Sequence, residues 1–281
     1  MDIPNLNSLD SDSDINPRII INPVFNPISN ESVNLTDPVF VYSDGKSWKI
    51  IPLNISLVSP IIYDNFYDSA IDNNSITKIC IYICPFSLFS VIYFGEFISF
   101  NKVYNNNLVL KDSKENEVII PSLDNIYKEN SDTNTYTLID KIIRKNEIRI
   151  MTLRNAISKY PDCLYIDNSY LNKFDPIVPL NYIKNDQIFF PNNKFNNQYH
   201  PKTIIYIIEY KSKRTHSYKK TVLLTIDASS DSVNTVDIVK NGFDVYFQRM
   251  SEKIRNRGGL IYPCFWFVWN GIYPDSKVIK L

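Results

Sequence analysis

The most suggestive spacing of reactive side chains in this sequence is Glu209-x-Lys211, at the end of an apolar run. This pattern suits Mg²⁺-assisted cleavage of a phosphodiester, in which the glutamate and a second acid bind the metal and the lysine stabilises the attacking water or the phosphate. Asp162, Asp167 or Asp186 would supply the second carboxylate, and Asp227 lies on the next predicted strand. The spacing predicts, as our alternative interpretation, a Mg-dependent nuclease or a nucleic-acid-binding protein.

A basic segment next to this pattern bears on the same alternative. It contains Lys211, Lys213, Arg214, Lys219 and Lys220. Such a patch can contact phosphates, and the neighbouring tyrosine offers a ring on which a base can stack. The competing interpretation, which we favour, is a solvated hairpin tip. Over all 281 residues, 30 Lys and Arg balance 30 Asp and Glu, and this balance does not exclude a local patch. A neutral chain does not attract nucleic acid or anionic membrane through its overall field.

The scarcity of other reactive residues argues against most remaining enzyme classes. The sequence has 2 His, 4 Cys and 6 Gly, and it contains neither of the glycine-rich phosphate-binding loops. These numbers also leave few ligands for a zinc site. Cys80 and Cys84 fall on a predicted strand, where they would stand about 13 Å apart, so we interpret both as buried free thiols. We therefore predict no cofactor and no bound metal.

The sequence also bears on where the protein works. It shows no N-terminal signal segment and no uninterrupted apolar stretch of about 18 residues. Few and scattered cysteines are typical of a reducing compartment. Ile, Asn, Lys and Tyr, whose codons are AT-rich, are abundant, which points to an AT-rich genome such as that of a large DNA virus. We expect a cytoplasmic protein, in the host cell if the gene is viral.

The elements that would position the reactive residues begin with a hairpin. Two strands are predicted at 39–42 and 47–51, joined by an Asp-Gly turn. The spacing of apolar residues predicts a helix at 56–68 and a second helix at 85–98. Between these helices, a β-branched run at 76–83 predicts a buried strand.

Three motifs occur along these elements in order. The hairpin carries Val41-Tyr42-Ser43-Asp44-Gly45-Lys46-Ser47-Trp48, the first helix carries Ser56-Leu57-Val58-Ser59-Pro60-Ile61-Ile62, and the second carries Phe86 and Ile92-Tyr93-Phe94-Gly95-Glu96. Together they resemble the BTB/POZ superfamily, including the cullin-adaptor branch that contains elongin C. The resemblance implies an α+β module at residues 37–107.

The resemblance also implies a function. BTB/POZ proteins self-associate or dock to a cullin scaffold, as ubiquitin ligase adaptors do, by packing helical faces rather than by using reactive side chains. On this chain the surface would be formed by Ile61, Ile62, Phe66, Phe86, Phe89 and Tyr93. Our leading hypothesis is a non-enzymatic protein-protein interaction or adaptor protein. Its expected partners are proteins, either a second copy or a cullin-type scaffold, and not a membrane.

The middle of the chain carries a weaker resemblance. A strand is predicted at 147–152, a helix at 153–160 and a strand at 186–190. The residues Thr152-Leu153, Pro161-Asp162 and Ile188-Phe189-Phe190 in this order weakly resemble the tetramerisation domain of voltage-gated potassium channels, another BTB branch. The resemblance implies a second BTB-like unit, with an unrelated α+β fold as the alternative.

The C-terminal part predicts a compact α+β unit. Strands at 203–210 and 221–227 would form a hairpin with a long basic loop. An amphipathic helix is predicted at 233–257, and an apolar strand at 260–269. This unit would recruit a target protein for the adaptor.

The predicted fold class is therefore α+β, with a BTB/POZ-like module followed by a second α+β domain that has a mostly antiparallel sheet. Residues 1–36 are predicted to form a disordered or extended leader, in which an apolar patch at 19–25 could add a strand to a sheet. Residues 37–107 form the BTB/POZ-like domain, 108–146 a linker or insertion, and 147–281 the C-terminal domain.

Overall fold

A computed structural model describes most of the chain. The described residues are 7–8, 18–28, 33–68, 75–112, 114–123, 125–130, 135–139, 145–179, 181–190, 198–211, 218–224, 252–254, 256, 259–275 and 278–280. Their strands are β1 (Asn7–Ser8), β2 (Ile19–Ile21), β3 (Phe25–Pro27), β4 (Pro38–Ser43), β5 (Trp48–Pro52), β6 (Ile61–Tyr67), β7 (Ile76–Ile83), β8 (Ser90–Phe94), β9 (Phe97–Tyr104), β10 (Asn107–Asp112), β11 (Glu117–Ile120), β12 (Asn125–Asn130), β13 (Thr135–Ile139), β14 (Lys145–Asn146), β15 (Arg149–Thr152), β16 (Leu164–Ile166), β17 (Ile204–Lys211), β18 (Tyr218–Leu224), β19 (Leu260–Phe265) and β20 (Val278–Lys280). The α-helices are α1 (Leu53–Val58), α2 (Leu153–Lys159) and α3 (Trp266–Ile272), and 3₁₀ helices span Asn168–Asn172 and Tyr182–Lys184.

The fold is mostly β, so the predicted α+β class is wrong. Each of the three α-helices that the structure describes in full has only six or seven residues. The two helices on which the BTB/POZ-like module depended are strands: 56–68 contains β6, and 85–98 contains β8 and the start of β9. These segments are rich in β-branched and aromatic residues, which pack well on a pleated surface. Their apolar residues also recur at three- and four-residue steps, and this spacing was the basis for predicting helices.

The strands form four sheets. Sheet A has the order β1-β9-β10-β11-β12-β13, sheet B β14-β8-β7-β6-β2, sheet C β15-β4-β5-β16-β3 and sheet D β19-β17-β18-β20. Most neighbours are antiparallel, and the parallel pairs are β2 with β6, β5 with β16 and β18 with β20. The strand predicted at 76–83 is confirmed as β7, which lies in the middle of sheet B.

The N-terminal segment closes one edge of three sheets. β1 ends sheet A, β2 ends sheet B and β3 ends sheet C. The prediction that the patch at 19–25 adds a strand to a sheet is confirmed, because Ile20 pairs with Ile62 of β6. Ile20 is buried in the main core. Residues 18–28 are therefore an ordered part of the fold rather than a disordered leader.

The predicted hairpin at 39–42 and 47–51 is confirmed by the pairing of β4 with β5. Its turn is held by the Asp44 carboxylate, which accepts hydrogen bonds from the backbone N–H groups of Lys46 at 2.8 Å and Ser47 at 2.7 Å. Gly45 has a φ of +93°, and a Cβ there would lie 2.0 Å from the carbonyl oxygen of Tyr67. Glycine is required at this turn both for its left-handed backbone and for the close approach of β6.

Sheet A is strongly curled. Lys102 of β9 donates a hydrogen bond of 2.6 Å to the Tyr136 hydroxyl of β13, although these strands are four ladder steps apart. A flat sheet would separate them by about 19 Å, more than the two side chains can span. The curl encloses a small apolar cluster on the concave face, formed by Val109, Val118, Ile120, Tyr127 and Tyr136.

One main core joins all four sheets. Its buried members include Leu108 of sheet A, Ile81 of sheet B, Phe40 of sheet C and Ile205 of sheet D. The predicted boundary after residue 107 falls inside β10, which pairs with β9, and β15 pairs with β4 across the predicted linker. The part predicted as a linker or insertion contributes four strands to sheet A.

Predictions for the second half have mixed outcomes. The strand at 147–152, the helix at 153–160 and the hairpin that begins at 203 are confirmed as β15, α2 and the pair β17 and β18. The strand predicted at 186–190 is wrong, since these residues form none. The apolar run 260–269 divides into β19 and α3, because a short apolar run suits a strand and a helix equally well. The helix predicted at 233–257 lies largely outside the described residues. Within this range, the described residues 252–254 are helical.

Candidate interaction surface

The six residues predicted to form a helical docking surface do not form one. Phe66 is partly buried, and the other five, Ile61, Ile62, Phe86, Phe89 and Tyr93, are buried members of the main core. Ile61, Ile62 and Phe66 lie on β6, and Tyr93 lies on β8. Phe86 and Phe89 lie in the loop before β8. They are buried because β6 and β8 flank β7 inside sheet B. Docking to a cullin-type scaffold remains a prediction, without the helices on which it was based.

Glu209, the centre of the predicted metal site, is held by other protein groups. Its carboxylate accepts hydrogen bonds from Lys145 Nζ at 3.1 and 3.3 Å, and from the Tyr262 hydroxyl at 2.8 Å. The side chain is almost fully buried. Lys145 belongs to sheet B and Glu209 to sheet D, so this ion pair ties two sheets together.

The other residues of the predicted nuclease site are placed only in part. Asp162 is exposed in the turn after α2, and Asp167 caps a 3₁₀ helix by accepting a hydrogen bond of 2.7 Å from the Ser169 N–H. Asp227 lies outside the described residues. Among the described residues, no group of three His, Cys, Asp or Glu side chains could hold a metal ion.

The predicted basic patch lies at the tip of the confirmed hairpin of β17 and β18. Lys211, Lys219 and Lys220 are in its strands, while Lys213 and Arg214 lie outside the described residues. The patch stays a prediction. Among the helices of the described part of the chain, none is long and apolar enough to cross a membrane.

A buried polar network joins sheets B and C beneath the Asp-Gly turn. Lys49 Nζ lies 2.6 Å from Asp64 Oδ2 and 2.9 Å from Asp44 Oδ2. The Tyr42 hydroxyl donates a hydrogen bond of 2.6 Å to the same Asp64 oxygen. Burial and the Asp64 charge raise the pKa of Tyr42 well above its usual value. Burial opposes charge on Lys49 too, but the bonds to Asp64 and Asp44 raise its pKa above the usual value. The network is a structural tie between two sheets.

Lys202 is a buried lysine whose ammonium group is hydrogen-bonded to uncharged groups. Its ammonium donates hydrogen bonds to the backbone carbonyl of Tyr182 and, at 3.0 Å, to Asn185 Oδ1. It also lies 3.5 Å from the centre of the Tyr182 ring. Burial lowers the pKa of Lys202 to about 8. Since these hydrogen-bonding partners are neutral groups of residues 182–185, we interpret Lys202 as the anchor of that segment.

The four cysteines are free and buried, as predicted for Cys80 and Cys84. Burial raises the pKa of Cys80 to about 12 and that of Cys264 well above its usual value. A thiol that is not ionised is a poor nucleophile. Cys80 and Cys264 are therefore packing residues at neutral pH.

A strained loop lies between β7 and β8. Leu88 has a φ of +61°, which is unfavourable for a bulky side chain. The loop is fixed from two directions: the Ser87 hydroxyl donates a hydrogen bond of 2.7 Å to Asn107 Oδ1, and the Ser87 carbonyl accepts one of 2.9 Å from the Phe265 N–H. These two hydrogen bonds connect the loop of sheet B to sheets A and D. They stabilise the unfavourable backbone conformation of Leu88.

One exposed apolar element is β13, the end strand of sheet A. Tyr136 is buried in the concave cluster, and Ile139 packs against the main core. Between them, Thr137 and Leu138 are exposed, Leu138 to 45%. Successive residues of a strand point to opposite faces, so β13 is uncovered on both faces at its middle. No described strand pairs with its outer edge.

Comparison with known proteins found no relative of this chain. No family model, no curated protein and no solved structure matches this chain. The function is therefore inferred from the geometry of the fold alone.

Sequence reasoning missed β13 because the Asn- and Lys-rich composition of its surroundings indicated an insertion. The segment Thr135–Ile139 reads TYTLI, and its β-branched and aromatic residues are typical of a strand. That signal was present in the sequence. Lys202 carried no signal, because nothing in a sequence distinguishes one buried lysine from the solvated ones.

Proposed function

We propose that this protein is a non-enzymatic protein-interaction protein, and that a partner binds by adding a strand to the outer edge of β13. The observation that supports the proposal is the exposure of Thr137 and Leu138 on opposite faces of this end strand. A strand that is open on both faces accepts another backbone without displacing a neighbour. Backbone hydrogen bonds then supply affinity, and alternate side chains supply specificity.

The composition of β13 favours this role. Thr135–Ile139 contains no charged residue and no proline, whereas natural proteins usually protect exposed strand edges with these residues. The opposite edges of sheets B and C are shorter, since β14 has two residues and β15 four. Among the described strands, β13 is therefore the longest of the three edges that lie opposite the N-terminal strands.

Strand addition is also how this chain completes its own sheets. β1, β2 and β3 each extend a different sheet by pairing with one strand at its edge. The same kind of pairing on β13 would extend sheet A on its opposite side.

The proposal is tested by selecting short peptides from a phage-displayed random library on the full-length protein. Leu138→Lys places a charge on the edge strand, and Ile98→Lys is its matched control. Ile98 is 38% exposed and lies on the same face of sheet A, since Lys111, Val118 and Tyr127 link it to Leu138 by direct pairing. We expect selected peptides to bind wild type and Ile98→Lys alike and to bind Leu138→Lys at least tenfold more weakly.

Amide hydrogen exchange gives the second measurement. A bound strand should slow exchange at residues 137–139, because outward-facing N–H groups become hydrogen-bonded. Peptides that bind both lysine variants equally and leave this exchange unchanged would contradict the proposal.

A further inference from the structure

We infer that the partner of β13 is a second copy of this chain, paired antiparallel with Thr137 of both copies at the two-fold axis. The inference rests on the proposed function and specifies its partner. A symmetric dimer uses the same patch on each subunit, so each residue must be compatible with its opposite number in the reversed strand.

The reversed register of β13 satisfies this condition. With Thr137 opposite Thr137, Tyr136 stands opposite Leu138 of the second copy, and Thr135 opposite Ile139. Thr-Thr and aromatic-aliphatic pairs are both favourable between antiparallel strands. The five residues contain no charge, so the pairing places no like charges opposite each other.

The register also covers Leu138, one of the apolar side chains that the single chain leaves exposed. Leu138 is 45% exposed, and Tyr136 lies beside it on the same face with its ring in the concave cluster. In the dimer each Leu138 packs against the Tyr136 of the other copy. Sheet A then continues across the axis as one sheet, with its apolar face covered at the junction.

The small area of the contact between the two β13 strands predicts a weak dimer. Five residues from each copy bury less than the roughly 1,200 Å² of a standard stable interface. The dimer should therefore be in equilibrium with the monomer and depend on concentration.

A cysteine at the axis gives a direct test. Residues directly opposite in an antiparallel pair have Cα atoms about 4.5–5.5 Å apart, within the range of about 4.4–6.8 Å that a disulfide spans. Thr135→Cys is the matched control, because it is an exposed threonine on the same strand whose copies would lie about 13 Å apart. The native cysteines are buried. In oxidised glutathione, Thr137→Cys should form disulfide dimers at least tenfold faster than Thr135→Cys.

Sedimentation velocity over a concentration series completes the test. Wild type and Ile98→Lys should show a sedimentation coefficient that rises with concentration, whereas Leu138→Lys should not. A wild-type monomer at every concentration, with equal cross-linking of the two cysteine variants, would overturn the inference. If peptides still bound to β13 in that case, the proposed function would stand and only the second copy would be wrong. If no peptide bound either, both would fail.

Discussion

At the scale of single residues, the structure uses charge mainly to connect sheets. Lys49 joins Asp44 and Asp64 across sheets B and C, and Lys145 joins Glu209 across sheets B and D. Charges buried in this way must be paired, because removing one partner leaves the other uncompensated. Glu209 was predicted from sequence as a metal ligand because residue type and spacing do not reveal the partner. Lys145 lies far away in sequence, and only the fold brings it to Glu209.

Lys202 makes the stability of the protein depend on pH. Its pKa of about 8 lies below the usual 10.5 of a lysine, so the unfolded chain holds more protons than the native state between these two values. The native state therefore gains stability as pH rises through this window. Relative to a Lys202→Met variant, the wild-type free energy of unfolding should increase by about 1–3 kcal/mol between pH 7 and pH 10.

Urea unfolding of both proteins at several pH values measures this difference. Lys46→Met is the control, because Lys46 is exposed, and its difference from wild type should stay constant over the same range. Parallel curves for wild type and Lys202→Met would contradict the lowered pKa.

At the scale of elements, turn chemistry was more informative than apolar spacing. The Asp-Gly pair located the hairpin of β4 and β5, and a continuous β-branched run located β7. The segments at 56–68 and 85–98 were predicted as helices, because their apolar residues fit a helical period. The same residues are β-branched and aromatic, and pairing on both sides of β7 decides in favour of strands. That pairing is a long-range effect, so local sequence does not contain it.

The docking of β2 can be tested with two adjacent isoleucines. Ile20 is 2% exposed and Ile21 is 63% exposed, although they are neighbours on the same short strand. Ile20→Ala should lower the free energy of unfolding by about 2–5 kcal/mol, since a buried isoleucine leaves a cavity. Ile21→Ala should change it by less than about 0.5 kcal/mol. Equal effects in urea unfolding would show that this strand is not held as described.

At the scale of the whole molecule, the four sheets share one core. Ile81 of sheet B and Ile205 of sheet D are both fully buried members of it, although they lie on opposite sides of the domain boundaries expected from sequence. The boundary after residue 107 followed the extent of the BTB/POZ resemblance, and the Asn- and Lys-rich composition beyond it indicated an insertion. Pairing between β4 and β15 crosses the predicted linker in the same way.

A shared core predicts a single cooperative unfolding transition. Ile81→Ala and Ile205→Ala should each lower the same transition temperature, and the calorimetric and van't Hoff enthalpies should agree. Differential scanning calorimetry of the two variants measures this. Two transitions, each lowered by only one of the variants, would show that the chain has two independent domains.

The placement of the first strands at sheet edges has a consequence for biosynthesis. Phe25 of β3 pairs with Ile166, so during synthesis β3 stays without its described partner until the much later β16 has been made. β1 likewise waits for Val103 of β9. Pairing between residues so distant in sequence slows folding, and unpaired strand edges expose a growing chain to aggregation. β3 is thus synthesised long before it can take its place in sheet C, and during that interval a chaperone would protect its unpaired edge.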